Sequence, residues 1–316
     1  MIFGRLKRAG VLGINRRNAS YTLRYNKRSL YPTVDDKLAT KRLCERAGIP
    51  VPRLLAVARH HFQVRDLMPA LAAEHAFVLK PVHGAMGNGI MVIVDRDGDR
   101  LVRSNGRTIS VDAFRYHAAS IISGLYALGG QPDVAMVEER IEVHPEFAAI
   151  ATQGVPDVRV IVYRGVPVMA MTRLPTAASQ GRANLHQGAI GAGIDLDTGH
   201  TTFAVLRNRS VEANPDSGRP VRGVPIPDFP RILEIAVRAS DETGLGYVGA
   251  DIVVDPRLGP SVLELNARPG LSIQLANRAG LRPRLDAVDA SWQPDRPLAE
   301  RVALARALAR GPRLAA

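Results

Sequence analysis

The stretch from Tyr247 to Gly270, YVGADIVVDPRLGPSVLELNARPG, leaves little choice of local structure. Two runs rich in Val, Ile and Leu flank the turn signal DPRLG, so they read as neighbouring antiparallel strands. Side chains alternate faces along a strand, so Glu264 and Asn266 point the same way, roughly 7 Å apart at their Cα atoms. The hairpin brings Asp251 beside that face. Burying carboxylates and a carboxamide together is costly unless something satisfies them. A hard cation does so: Mg²⁺ takes oxygen ligands and accepts one or two carboxylates together with phosphates. The plain alternative is an edge strand with one polar face.

A second stretch, FVLKPVHGAMGNGI, places Lys80 on a strand before a loop with glycines at 84, 87 and 89. Glycines let a backbone approach a ligand closely and aim its amides inward, as a triphosphate needs, and the lysine adds a point charge. The order is not that of a P-loop, whose lysine follows the glycines and opens a helix.

Around these motifs the pattern predicts helices over 36–47, 111–129, 229–244 and 298–311. Strands are expected at 76–82, 89–95, 134–141, 158–164, 166–173, 248–254 and in VLELN, with an extended run in IPVPRLLAV and a hairpin turn at Arg164-Gly165. There is no internal repeat. Hairpins mixed with helices predict an α+β fold with mainly antiparallel sheets.

With 316 residues, 46% hydrophobic and 23% charged, the chain is long enough for one large domain or two medium ones. No apolar run approaches the roughly 18 residues of a membrane span. The one cysteine, Cys44, excludes an intrachain disulfide and fits a reducing compartment, so a cytoplasmic location is expected. Its helical neighbours make it a packed or surface thiol rather than a nucleophile. Charge is the unusual property: 42 Lys and Arg against 30 Asp and Glu give +12. Arg5, Lys7, Arg8, Arg16, Arg17, Arg24, Lys27 and Arg28 all precede Asp35 with no acid among them. Such a segment serves as a transit peptide, a nucleic-acid arm or a grip for an acidic substrate. It carries no nucleic-acid motif, and GVLGINRRNASY reads as turn-rich rather than as a clean amphipathic helix.

In order along the chain, DDKLATKRLCERAGIPVP, FVLKPVHGAMGNGI, MVEERI, DVRVIVYRGVPVMAMTR, GRANLHQGA and GADIVVD…VLELNARPG resemble the ATP-grasp enzymes. Specifically, they are similar to the ribosomal-protein glutamate ligase group, with its alpha-L-glutamate ligase-like proteins, and the likeness runs from about Asp35 to Gln274. The resemblance implies two lobes gripping ATP, a smaller one over 35–133 and a larger one over 134–280. A basic segment, 1–34, precedes them and a tail, 281–316, follows.

On this resemblance, Lys37 and Lys80 would contact the nucleotide phosphates. A loop from His83 to Ile90, with Gly84, Gly87, Asn88 and Gly89, would close over them. Glu138, Glu139 and Ile141 would take adenine through the hinge backbone, with Asp157 near the ribose. Arg182 and Asn184 would touch the γ-phosphate or an acyl phosphate. Asp251, Glu264 and Asn266 would hold two Mg²⁺ ions bridged by Glu264, with Mn²⁺ as a substitute, and Arg268 would stabilise the intermediate. Each has a plainer reading: Lys37 as a solvated helix residue, Asp157 as a turn cap, His186 as a local hydrogen-bonder. Arg159 stands evenly between a substrate carboxylate and an acidic partner.

The implied activity is an ADP-forming ligase that joins a carboxylate, expected to be L-glutamate, to an amine of an amino acid, a peptide or a protein terminus. Alternatives are another amino acid, a short peptide or an envelope precursor and, in another class, a nucleotide-binding regulator without turnover. No nucleic-acid partner and no membrane span are expected. Two departures bear on the acceptor: only 34 residues precede Asp35, where the group carries a separate domain, and Arg268 stands where the nearest ligases tend to carry a small residue while other ATP-grasp branches carry arginine. GINRRNAS is therefore expected to rebuild part of the substrate wall, with Arg16 and Arg17 as carboxylate forks.

Overall fold

Alternating Val, Ile, Met and Leu build two antiparallel sheets, one in each of the two units into which the chain divides. The computed structural model describes residues 2–84 and 87–310. The smaller unit holds 36–38 and 52–141, and the larger holds the residues up to Asp35, 39–51 and those from Glu142 on.

The smaller sheet comprises β1 (Leu54–Ala58), β2 (Phe77–Pro81), β3 (Met91–Asp97), β4 (Arg100–Arg103), β5 (Thr108–Ser110) and β6 (Ala135–Glu139), in the order β1-β6-β2-β3-β4-β5. The helix Val111–Ile122 covers it, capped by Ser110, whose Oγ accepts from the Ala113 amide. Phe114, Ala118 and Ile121 of that helix are buried, and Phe114 meets Phe77 edge-to-face at 5.6 Å. The helix stops short of the expected 129. Gly124 takes φ +82°, and a Cβ there would meet the Gln131 carbonyl oxygen at 2.4 Å, so the chain turns where only glycine fits.

The larger sheet comprises β7 (Asp157–Tyr163), β8 (Val166–Leu174), β9 (Ile190–Ile194), β10 (Thr201–Leu206), β11 (Arg209–Ser210), β12 (Tyr247–Asp255) and β13 (Gly259–Asn266), in the order β11-β10-β9-β8-β7-β12-β13. The helix Phe229–Thr243 packs on β12 and β13 and ends at Gly244, φ +67°. The helix Leu298–Ala309 packs on β8 and on that helix.

The division falls elsewhere than at the expected 133/134 boundary. β6 pairs with β1 on one side and β2 on the other, so 134–141 belongs to the smaller sheet. The first residues form no separate segment either. Ile14–Tyr25 is helical throughout, with a π-helical middle over Arg17–Thr22, and it is built into the larger unit. Tyr21 and Tyr25 meet Tyr163 edge-to-face, each at 5.4 Å, and the Asn26 amide donates to the Tyr247 and Ala267 carbonyls. Leu12 is buried, and its amide and carbonyl are both satisfied by the Gln274 side chain. A turn-rich reading fails because residues 13–25 contain no proline and bury a tyrosine face.

Candidate functional site

Two β-bulges assemble the polar face of the larger sheet. The β7–β8 hairpin turns at Arg164 and Gly165, both at positive φ, and pairs Tyr163 with Val166. Beyond Pro167 the register shifts by one residue, so Asp157 faces Arg173 rather than Thr172. The β12–β13 pair shifts likewise, setting Asp251 opposite Glu264 and Gly249 opposite Asn266. Since β12 also registers Asp251 with Arg159, one row runs Arg159, Asp251, Glu264 across three strands.

Within that row Arg159 grips Asp251 bidentately, Nε to Oδ1 at 2.7 Å and a terminal nitrogen to Oδ2 at 2.6 Å. Arg173 bridges two acids: it pairs with both carboxylate oxygens of Asp157 and reaches Asp251 Oδ2 at 2.7 Å. All four side chains are largely buried. Burial pushes Asp157 up to about 6 against the pull of Arg173. Burial also works to raise Asp251, but the two guanidinium groups outweigh it and hold the carboxyl below the usual range. Arg159 therefore has an acid partner, and Asp157 holds an arginine rather than capping a turn.

Glu264 and Asn266 differ from these four. Both are partly exposed, and among the described residues the Glu264 carboxylate has no hydrogen-bond or ion-pair partner. Asn266 reaches Asp251 Oδ2 through its nitrogen at 3.5 Å, which leaves its own oxygen open. Two open oxygen acceptors on one face beside a third carboxylate fit Mg²⁺, which needs only one or two protein oxygens and completes its shell with phosphates and water. Asp251 fits less freely, since its oxygens already accept from two arginines.

The N-terminal helix fixes the end of this strand. Arg17 is buried and donates to the Pro269 carbonyl and to Asn18 Oδ1, each at 2.8 Å. It is thus a brace for the NARPG turn and not an open carboxylate fork; Arg16 is exposed. Arg268 is exposed, with its guanidinium 5.3 Å from the Tyr31 ring centre. Asn184 Oδ1 accepts from the His186 amide at 2.9 Å, and Arg182 reaches Gln187 Oε1 at 3.5 Å. Among the described residues neither Arg182 nor Asn184 bonds to the acidic row.

In the smaller unit Lys80 on β2 pairs with Glu138 on β6, both buried. The Lys37 ammonium donates to the Val82 and Gly84 carbonyls at 3.1 and 2.6 Å, at the entry to the glycine loop. The His83 amide donates to Asp133, and His83 Nδ1 lies 2.8 Å from Asp133 Oδ1. At the far end the Gly89 carbonyl meets His117 Nε2 at 2.9 Å, and Gly87 and Gly89 both take φ +76°. Asn88 is exposed between them. Ala85 and Met86, in the middle of the expected loop, lie outside the described residues. In the hinge the Glu139 amide donates to the Arg53 carbonyl, and Ile141 is buried. Arg173, Asp133 and His117 escaped the sequence reading. A polar residue interrupting an apolar strand was the one signal for Arg173.

With the geometry in place, comparison with known proteins is specific at family level. The family described as Sugar-transfer associated ATP-grasp matches residues 16–290. The chain belongs to this ATP-grasp family. No curated protein matches. Among solved structures, the biotin carboxylase of Campylobacter jejuni in complex with β-γ-ATP is 17% identical over 84% of this chain and 48% of its own, with a TM-score of 0.50. The ATP-grasp ligase PsnB with its minimal precursor is 20% identical over 88% of this chain, TM-score 0.44. D-cycloserine synthetase DcsG is 15% identical over 87% of this chain and 72% of its own, TM-score 0.45. The chain spans about 64% of the length of PsnB. At these identities the likeness shows the ATP-grasp fold alone. Among the described residues no helix is long and apolar enough to cross a membrane.

Proposed function

We propose that the chain is an ATP-dependent carboxylate–amine ligase. A carboxylate oxygen of one substrate attacks the γ-phosphorus of ATP, the bond to the β-phosphate oxygen breaks, and ADP leaves. An amine then attacks the acyl carbon of the acyl phosphate, inorganic phosphate departs, and the nitrogen loses a proton to give the amide. The observation that carries this reading is the pair of open acceptors, Glu264 and Asn266, beside the arginine-held Asp251. Mg²⁺, when bound, supplies charge neutralisation for the phosphate oxygens. Glu264 and Asn266 would hold it, and Asp251 would orient them from a network that keeps its own charge balanced. Lys37, Lys80 and the amides of Gly84, Gly87 and Gly89 would take phosphate oxygens, and Arg268, exposed and cationic, would meet the charge developing at the acyl phosphate.

L-Glutamate is the first carboxylate to test. The family's description favours one refinement of the acceptor: an amine on a sugar-bearing or envelope-precursor molecule. The test is release of ADP and phosphate from Mg-ATP with a panel of amino acids, each paired with amino-acid, peptide and amino-sugar acceptors. Turnover that requires both a carboxylate and an amine supports the ligase. Tight ATP binding with no turnover on any pair would make the chain a nucleotide-binding regulator instead.

A further inference from the structure

Of the eleven large apolar side chains exposed among the described residues, four lie within residues 6–23: Leu6, Val11, Ile14 and Leu23. Leu6 is 45% exposed, Ile14 61% and Leu23 60%. The same segment carries the acid-free run of cations, and Arg5, Lys7, Arg8, Arg16, Arg24, Lys27 and Arg28 are all exposed as well. Arg17 alone turns inward, with Tyr21 and Thr22.

Burial divides the helical stretch 14–25 lengthwise. Arg17, Tyr21 and Thr22 face the sheet, while Arg16, Ala19, Ser20, Leu23 and Arg24 face outward. Exposed aliphatic groups therefore alternate with cations on a surface that no described residue covers. Trp292 extends it. Its ring is 45% exposed, and the Arg164 guanidinium lies 4.1 Å from its centre and 5.2 Å from that of Tyr25. The nearby acids do not cancel the charge: Asp289 is taken by Arg164 and Tyr163, and Asp286 by Arg282.

We propose that this surface docks the protein on an anionic lipid bilayer, with the basic side chains at the headgroups and Leu6, Ile14, Leu23 and Trp292 inserted at the acyl boundary. Aliphatic side chains gain from hydrocarbon, and interspersed Lys and Arg gain from an anionic leaflet; the combination marks interfacial rather than spanning segments. A nucleic-acid surface has the same charge but gains from aromatic stacking, and of the four side chains placed at the acyl boundary only Trp292 offers it. The proposal is independent of the ligase reading.

The experiment is co-sedimentation of the full chain with phosphatidylcholine vesicles, with and without phosphatidylserine, at low and high salt. Wild-type protein should partition onto the anionic vesicles at least about tenfold better than onto neutral ones, and salt should weaken that preference. The variant Leu6→Ser/Ile14→Ser/Leu23→Ser should lose about tenfold in partitioning with an unchanged melting temperature. If that variant fails to fold, Lys7→Gln/Arg8→Gln/Arg24→Gln/Lys27→Gln serves in its place and should partition equally onto both vesicle types. No preference of the wild type for anionic vesicles overturns the proposal. So does undiminished binding by the serine variant accompanied by a gel shift of single-stranded oligonucleotides, which would make the segment a nucleic-acid arm.

Discussion

The two units treat their buried charges differently. In the smaller, the Lys80 cation is paired with an acid on the adjacent strand, Glu138. In the larger, the Asp251 acid is closed by two cations, Arg159 and Arg173, and two further oxygen acceptors beside it stay open. Removing either partner of the Lys80 pair breaks one ion pair. Removing Arg173 strands parts of two acids at once, because it is the shared member. Fold stability should therefore depend more on the larger unit's network, whereas chemistry should depend on the groups that the network leaves unpaired.

Four substitutions test that contrast, the largest effect first. Glu264→Ala should cost on the order of a thousandfold in turnover or more, as loss of a charge-stabilising group at a reacting centre does. Because Glu264 has no partner among the described residues, the unfolding free energy of the variant should stay within about 0.5 kcal/mol of wild type. Ligation at the normal rate would remove Glu264 from the site. Arg173→Met should lower stability to urea by about 3–5 kcal/mol, the cost of orphaning a buried ion pair, and Arg173→Met/Asp157→Asn should recover part of that loss. A loss confined to the range of surface pairs would show that the network is wetter than its burial suggests.

In the smaller unit, Lys80→Ala should weaken ATP affinity by about 1.5–3 kcal/mol in calorimetry, and Lys80→Arg should rescue it only in part. Unchanged affinity would make Lys80 a structural partner of Glu138 and nothing more. The last test concerns pH. Asp157 sits near 6 in the folded chain against about 3.9 unfolded, so between those values the native state holds a proton that the unfolded state has released. Its contribution is fully present below about pH 4 and is lost as pH rises through about 6. Denaturant titrations of Asp157→Asn should lack that loss, about 3 kcal/mol for a carboxyl moved from about 3.9 to about 6. An identical slope in the variant would assign the effect elsewhere.

Much of this was legible in the sequence. The strand pattern, the turns at Arg164-Gly165 and DPRLG, and the shared face of Glu264 and Asn266 all follow from alternation and turn chemistry. Arg173 was not legible, because a regular hairpin counted back from Arg164-Gly165 sets Thr172, not Arg173, opposite Asp157. Only the bulge after Pro167 corrects the count. The inward turn of Arg17 was hidden for another reason. A cation in a basic segment reads as solvated, and its acceptor, the Pro269 carbonyl, lies 252 residues away. Long-range backbone acceptors leave no local trace.

The bulge in β8 makes the number of residues between Arg164 and Arg173 as constrained as their identity. Inserting one residue between Val168 and Thr172 would change no charged residue, yet with the bulge kept it would slide Thr172 into the place opposite Asp157 and carry Arg173 past it, whereas losing the bulged Val168 would leave Arg173 where it is. A one-residue insertion there is equivalent to replacing both acids' shared partner. Homologues that vary freely in side chains along this strand should still not lengthen it.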